Sequence, residues 1–186
     1  MSAGSSTPLP AGADSGSGAP PALRPAASTI VICRQGGLRL LWVRRSEANP
    51  FLGGFHSFPG GRWSREDGPL GDDPDQNLRT MARCAAREAF EETGLLLGFS
   101  ESPPPLEEQR RHRRDVLDGK SLFWETVEGA WGLRFDPASY VPCGRWITPH
   151  FSRARFNTNF FLIDLPEALE PDVWPGELES GAWIDP

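Results

Sequence analysis

With 186 residues, the chain is long enough for one domain around a single hydrophobic core. A formal net charge of -6 argues against general nucleic-acid binding, and no apolar run approaches the roughly 20 residues that span a bilayer. Three cysteines, Cys33, Cys84 and Cys143, have neither zinc-ligand nor disulfide-framework spacing, so buried free thiols in a reducing cytoplasm are expected.

In chain order, residues 1 to about 28 are Ala, Gly, Ser and Pro with almost no large apolar side chain. Such a segment buries too little surface to offset its ordering entropy, so a disordered tail is expected, followed by one domain over residues 29–186. The tail lacks the basic start and apolar core of a secretory signal. Its lone Arg24 is too few for a mitochondrial presequence.

Ser28–Cys33 and Leu38–Val43 are apolar runs joined by Gln35-Gly36-Gly37, which predicts a hairpin. Gly54–Phe58 alternates large and small residues like a short strand and stops at Pro59-Gly60-Gly61. The glycines there let a ligand approach the backbone closely. From Asn77 to Thr93 good helix formers run without Pro or Gly. Asp75 or Asn77 is expected to cap the start, and Gly94 the end. Leu78, Ala82, Ala85, Ala86, Ala89 and Phe90 share one side of that helix. Glu88, Glu91 and Glu92 share the neighbouring edge beside Cys84. Like charges at this spacing repel by a few tenths of a kcal/mol, and a hard divalent cation such as Mg2+ removes the repulsion. A solvated acidic face is the alternative. Leu106–Leu117 and Leu122–Ala130 read as two further helices, broken at Asp118-Gly119 and closed by Gly132. Arg110-Arg111-His112-Arg113-Arg114 reads as a solvated helix face.

Phe58 to Gly61 and REAFEETGL, Arg87 to Leu95, resemble the Nudix hydrolases, whose signature is G-x5-E-x7-R-E-U-x-E-E-x-G-U, with U a bulky apolar residue. The second half matches at Arg87, Glu88, Glu91, Glu92, Gly94 and Leu95, with Ala89 at an apolar place. In the first half Gly61 is followed six residues on by Asp67 rather than Glu. The stretch from Asp67 to Arg87 exceeds the signature by twelve residues. Gly68–Gln76 is therefore expected to be an exposed excursion that leaves Gly60-Gly61 close to the helix carrying Glu88. The insert, and loosely the region from Leu106 to Thr158, resemble the coenzyme A diphosphatase subgroup. Arg145–Pro149, Phe160–Leu165 (after Arg155–Thr158) and Glu179–Pro186 are its expected strands. In Nudix domains a further helix usually follows that last strand.

The resemblance implies an α/β fold, a Nudix-type α/β/α sandwich with a mixed sheet. It also implies a Mg2+- or Mn2+-dependent diphosphatase that cleaves a nucleoside-diphosphate-linked small molecule, with coenzyme A or an acyl-CoA as the candidate. No nucleic-acid or membrane partner is expected. Glu88 and Glu92 are the implied principal metal ligands, the Gly60 carbonyl a further one, and Glu91 a ligand of a second ion or the base. Arg87, about 100° round the helix from Glu88, is expected to orient a carboxylate. Arg45, Arg62, Arg153 and Arg155 are candidates for phosphate contact, ordinary surface arginines being the alternative. Phe51, Phe55 and Trp63 are candidates for stacking or for an apolar groove, with core packing favoured. His56 and His150 have no partner spacing and are assigned no chemistry. An ADP-sugar, dinucleotide or nucleoside-triphosphate substrate, a non-catalytic nucleotide sensor, and the N-terminal domain of a larger protein are the alternatives.

Overall fold

The computed structural model describes residues 21–49, 52–152 and 154–186. Its frame is one mixed sheet of β1 (Leu23–Cys33), β2 (Arg39–Arg45), β3 (His56–Ser57), β4 (Gly60–Arg62), β5 (Val141–Ile147), β6 (Arg155–Leu165) and β7 (Leu178–Ile184). The expected hairpin is present, with Cys33 opposite Arg39 and Ile32 opposite Leu40. Beyond those two pairs β1 and β2 separate. β3 then pairs with β2 and β4 with β1, while β7 takes the other edge of β2.

β1 starts at Leu23, not at Ser28. Leu23 to Ser28 pair in parallel with Arg155 to Phe160 of β6, so this part of the Ala/Pro-rich segment is strand rather than disordered tail. Small residues suit it there: Ala26 and Ala27 are buried where the sheet, β4 and α1 converge. Residues 1–20 of the expected tail lie outside the described residues.

Helix α1 (Pro74–Thr93) begins three residues before Asn77. Its cap is Asp73, whose side chain accepts from the Asp75 and Gln76 amides at 2.9 and 3.3 Å, with Pro74 in the first turn. Asn77 instead clamps the inserted loop, exchanging two hydrogen bonds with the Gly71 backbone at 2.7 and 2.8 Å. Gly94 ends the helix at φ 72°, its amide donating to the Phe90 carbonyl. Ala82, Ala85, Ala86, Ala89 and Phe90 are buried as the period predicts, but Leu78, in the first turns of the helix, is exposed beside an open cleft toward Val141 and Pro142.

α2 (Leu106–Leu117) spans the expected residues, and the segment after it closes in a single π turn, Glu125–Ala130. The segment after α2 joins one core with α1, β1 and β6 through Phe90, Phe123, Trp124, Val127, Val31 and Phe161, and α2 packs Val116 against it. The basic run is not a solvated face throughout: His112 and Arg113 are buried. Arg113 donates to the Glu91 carbonyl at 3.0 Å and to the Asp172 carbonyl, and lies 4.3 Å over the Trp174 ring. Cys33 and Cys84 are buried, whereas Cys143 is exposed on edge strand β5. Among the described residues no helix is long and apolar enough to cross a membrane.

Candidate active site

Pro59-Gly60-Gly61 does not end as an open loop. Gly60 and Gly61 are strand residues of β4, opposite Ser28 and Ala27. A Cβ on Gly60 would collide with the Ala27 carbonyl, and one on Gly61 with the Glu88 carboxylate. Glycine is required here for close approach, which lets a sheet edge sit directly on the acids of α1. The Gly60 amide donates to Glu92 Oε2 at 2.8 Å. The inserted stretch runs outward between these parts, largely exposed, and is tied back by Asn77 and by Thr80 Oγ1 donating to the Pro69 carbonyl at 2.9 Å.

Arg87 is the hub. Its Nε donates to Asp67 Oδ1 at 2.8 Å and its Nη2 to Asp67 Oδ2 at 3.0 Å. Nη1 donates to Glu88 and Glu91 at 2.9 and 3.0 Å, and Nη2 also reaches the Arg62 carbonyl at 2.8 Å. Asp67 is fully buried, at the end of the short 3-10 turn Arg65–Asp67. Its two remaining acceptor positions take the Ser64 amide at 2.8 Å and the Trp124 indole N–H at 3.1 Å. Asp67 thus reaches Arg87 despite the shorter side chain and the twelve extra residues.

Burial drives the electrostatics. It pushes the Glu88 carboxyl up to about 7, against the pull of Arg87 and with the push of the Glu91 charge. Glu91 is raised by burial, again opposed by Arg87. Glu92 is raised well above the usual carboxylate range by burial and the Glu88 charge, against the Gly60 hydrogen bond. For Arg87, burial pulls downward, but the Asp67 hydrogen bonds and the surrounding carboxylates outweigh it and keep the cation firmly charged. Burial likewise raises the Cys84 thiol, which lies 3.8 Å from Arg87 Nη2.

Asp67, Glu88 and Glu91 thus share one guanidinium, with Glu92 a turn away from Glu88. The cluster holds more negative charge than its protein partners neutralise. Hard carboxylate oxygens with surplus charge fit Mg2+ or Mn2+, and Glu88 and Glu92 are the residues that would hold such an ion. Among the described residues no three acidic, histidine or cysteine groups are already gathered as a coordination cluster.

Beside the acids a cavity of about 1160 Å3 opens in the fork between β1 and β2. Glu88 and Glu91 form part of its wall. Its floor includes Ala26 and Ser28 of β1 beside Thr158 and Phe160 of β6, pairs set by the parallel register. Arg45 and Arg62 lie on the wall, Arg45 ion-paired with Glu177 at 2.7 Å. Arg155 does not line the cavity. Strand alternation turns Phe156 and Thr158 toward it, while Arg155 Nε donates to the Thr148 carbonyl at 3.3 Å. Trp63 is on the wall and also packs on the core, its indole N–H donating to the Gly68 carbonyl at 3.0 Å. Phe55 is exposed and off the wall. Phe51 and Arg153 lie outside the described residues.

Several wall residues escaped the sequence reading. Arg24 was hidden in the tail-like composition, and Trp42 faces His56 with ring centroids 5.3 Å apart. The alternation of Phe156, Thr158 and Phe160 was a usable signal. Trp124, which lies off the wall and donates to Asp67, had no local signal at all.

The NUDIX domain family matches residues 22–158, and the chain belongs to that family. A Caenorhabditis elegans protein carrying the name nudix hydrolase 7 is 28% identical over 166 residues, 88% of this chain and 52% of that protein. The chain therefore spans about half the length of this curated relative. The crystal structure of a NUDIX hydrolase from Alicyclobacillus acidocaldarius is 30% identical, with TM-score 0.70 over 87% of this chain and 78% of that one. The NUDIX domain of Shewanella oneidensis NrtR, solved with ADP ribose, has TM-score 0.52 at 11% identity over 89% of this chain and 74% of that one. It is alike in fold. The α/β class and mixed sheet expected from the sequence agree with these neighbours.

Proposed function

We propose that the protein is a Mg2+- or Mn2+-dependent hydrolase of a diphosphate linkage in a nucleoside-linked small molecule, coenzyme A or an acyl-CoA being the substrate to test first. The reading is carried by one observation: Glu88 and Glu91 open onto a cavity whose wall also bears Arg45 and Arg62. Its volume, about 1160 Å3, suits a ligand larger than a mononucleotide. Membership of a family whose named relatives are hydrolases supports the same reading.

Water attacks one phosphorus and the other phosphate leaves. A divalent ion, when bound, supplies charge neutralisation and lowers the pKa of water. Glu88 and Glu92 hold that ion in this proposal, and the Gly60 carbonyl is a further donor. Glu91 ligates a second ion or takes the proton from the attacking water, as its position beside the cavity allows. Arg87 aims Glu88 and Glu91 and favours their ionised forms against the push of burial. Arg45 and Arg62 steady the phosphates, with Arg45 exchanging Glu177 for substrate oxygens. Phe156, Phe160 and Trp63 offer apolar surface to a flexible arm. A cytoplasmic location belongs to the same proposal.

The test is hydrolysis of CoA, NADH, ADP-ribose and a nucleoside triphosphate with Mg2+ or Mn2+, read by mass spectrometry. Phosphopantetheine and 3',5'-ADP are the expected products from CoA. A several-hundredfold preference for ADP-ribose or NADH, about 3–4 kcal/mol of transition-state discrimination, overturns the CoA assignment. A folded chain that hydrolyses none of the four overturns the hydrolase reading.

A further inference from the structure

We propose that Trp124, 57 residues from Asp67 in sequence and outside the signature, is a positioning residue for the acid cluster, acting through the Asp67–Arg87 pair. Its indole N–H donates to Asp67 Oδ1 at 3.1 Å inside a fully buried site. Each Asp67 oxygen accepts two donors: Oδ1 takes Arg87 Nε and Trp124 Nε1, and Oδ2 takes Arg87 Nη2 and the Ser64 amide. The carboxylate plane is thereby pinned from both sides. Arg87 in turn spends its Nη1 on Glu88 and Glu91, so a rotation of Asp67 swings the donor that aims both glutamates.

Asp is one methylene shorter than the Glu of the signature and has one fewer rotatable bond, but its carboxylate still turns about the Cβ–Cγ bond. A second, rigid donor on Oδ1 removes that freedom. The indole is itself held on every side. It packs against Phe123, Phe99 and Phe135 with centroids at 4.8, 6.1 and 5.2 Å. The Arg83 guanidinium lies 3.6 Å over its face, gripped by Glu128 of the π turn that follows Trp124. A buried indole needs an acceptor in any core. Here the acceptor chosen is the carboxylate that orients the hub arginine, two bonds from the acids. The helical segment 123–130 is thus part of the site's machinery, not only its packing.

The proposal rests on the hydrolase reading of that cluster, so the experiment carries a readout that does not need turnover. Trp124→Phe keeps an aromatic ring in place and removes the N–H. The expected result is a fall in kcat of about tenfold with KM unchanged, and a several-fold weaker Mn2+ affinity by calorimetry. Trp131→Phe removes an indole N–H of the same kind that donates to Glu108 at 2.9 Å, away from Asp67 and Arg87. It is expected to lower Tm while leaving kcat and Mn2+ affinity intact. Should Trp124→Phe fail to fold, benzothienylalanine at position 124 replaces N–H by sulfur in the same shape. Wild-type kcat and Mn2+ affinity in the N–H-deficient variant overturn the proposal, as does an equal kcat loss in Trp131→Phe. A wild type that binds Mn2+ but cleaves no diphosphate sinks the hydrolase reading alone, and the Mn2+ arm still decides for Trp124. A folded wild type that binds no Mn2+ overturns both.

Discussion

Asp67→Asn is the most exacting perturbation of this molecule. The Asp67 side chain is fully buried and that of Arg87 is 5% exposed, so the pair is shielded from solvent. Both Asp67 oxygens face two N–H donors each. An amide in either orientation therefore points its NH2 at two donors and loses the charge that compensates Arg87. Breaking a buried ion pair from one side costs about 3–5 kcal/mol, and the misdirected amide gives no relief. For a domain of this size each kcal/mol moves Tm by about 2–4 °C, so the expected drop is about 6–20 °C. Thermal unfolding by circular dichroism measures it, with exposed Asp72→Asn as the control, expected within about 0.5 kcal/mol of wild type. A drop below about 3 °C, or a control that falls as far, refutes the buried-hub argument.

Glu92→Gln removes a ligand charge with little change of shape and should lower kcat by about two orders of magnitude or more; chelator should abolish activity, and near-normal turnover in the variant would sink the metal assignment. Glu88 titrates near 7 when folded against 4.5 for a free side chain. The folded state therefore binds more protons between those values, and metal-free stability falls as pH rises through them, by on the order of 3 kcal/mol. Glu88→Gln should accordingly raise the metal-free Tm at pH 8 more than at pH 5, and equal changes at both pH values count against this. Arg113→Gln should lower Tm by at least about 5 °C, because it strips the Glu91 and Asp172 carbonyls of a buried donor. Exposed Arg111→Gln should leave it within about 2 °C, and the reverse order would restore the solvated-face reading.

The helix carrying the acids was legible because its evidence is local. Apolar residues at helical period, three glutamates on one edge and Gly94 at the end all lie within twenty residues. The glycine pair was legible as a place of close approach, though not as a strand, since its partner β1 lies thirty residues upstream. Length and net charge bounded the class for a different reason: they are sums over the chain and depend on no contact. What tertiary structure decided was every contact between segments distant in sequence. Leu23–Ser28 looks like tail by composition, yet a parallel partner over 130 residues away makes it strand. His112 and Arg113 read as surface by charge pattern, yet carbonyls at Glu91 and Asp172 accept the guanidinium in the interior. Arg45 and Arg155 were equal as sequence candidates, and only strand alternation in the folded sheet separated them. Asp67 stood at a signature position with the wrong length and a long gap after it. Its role followed only when the fold set Arg87 and Trp124 on its two oxygens, because a hydrogen bond depends on position in space and not on distance along the chain.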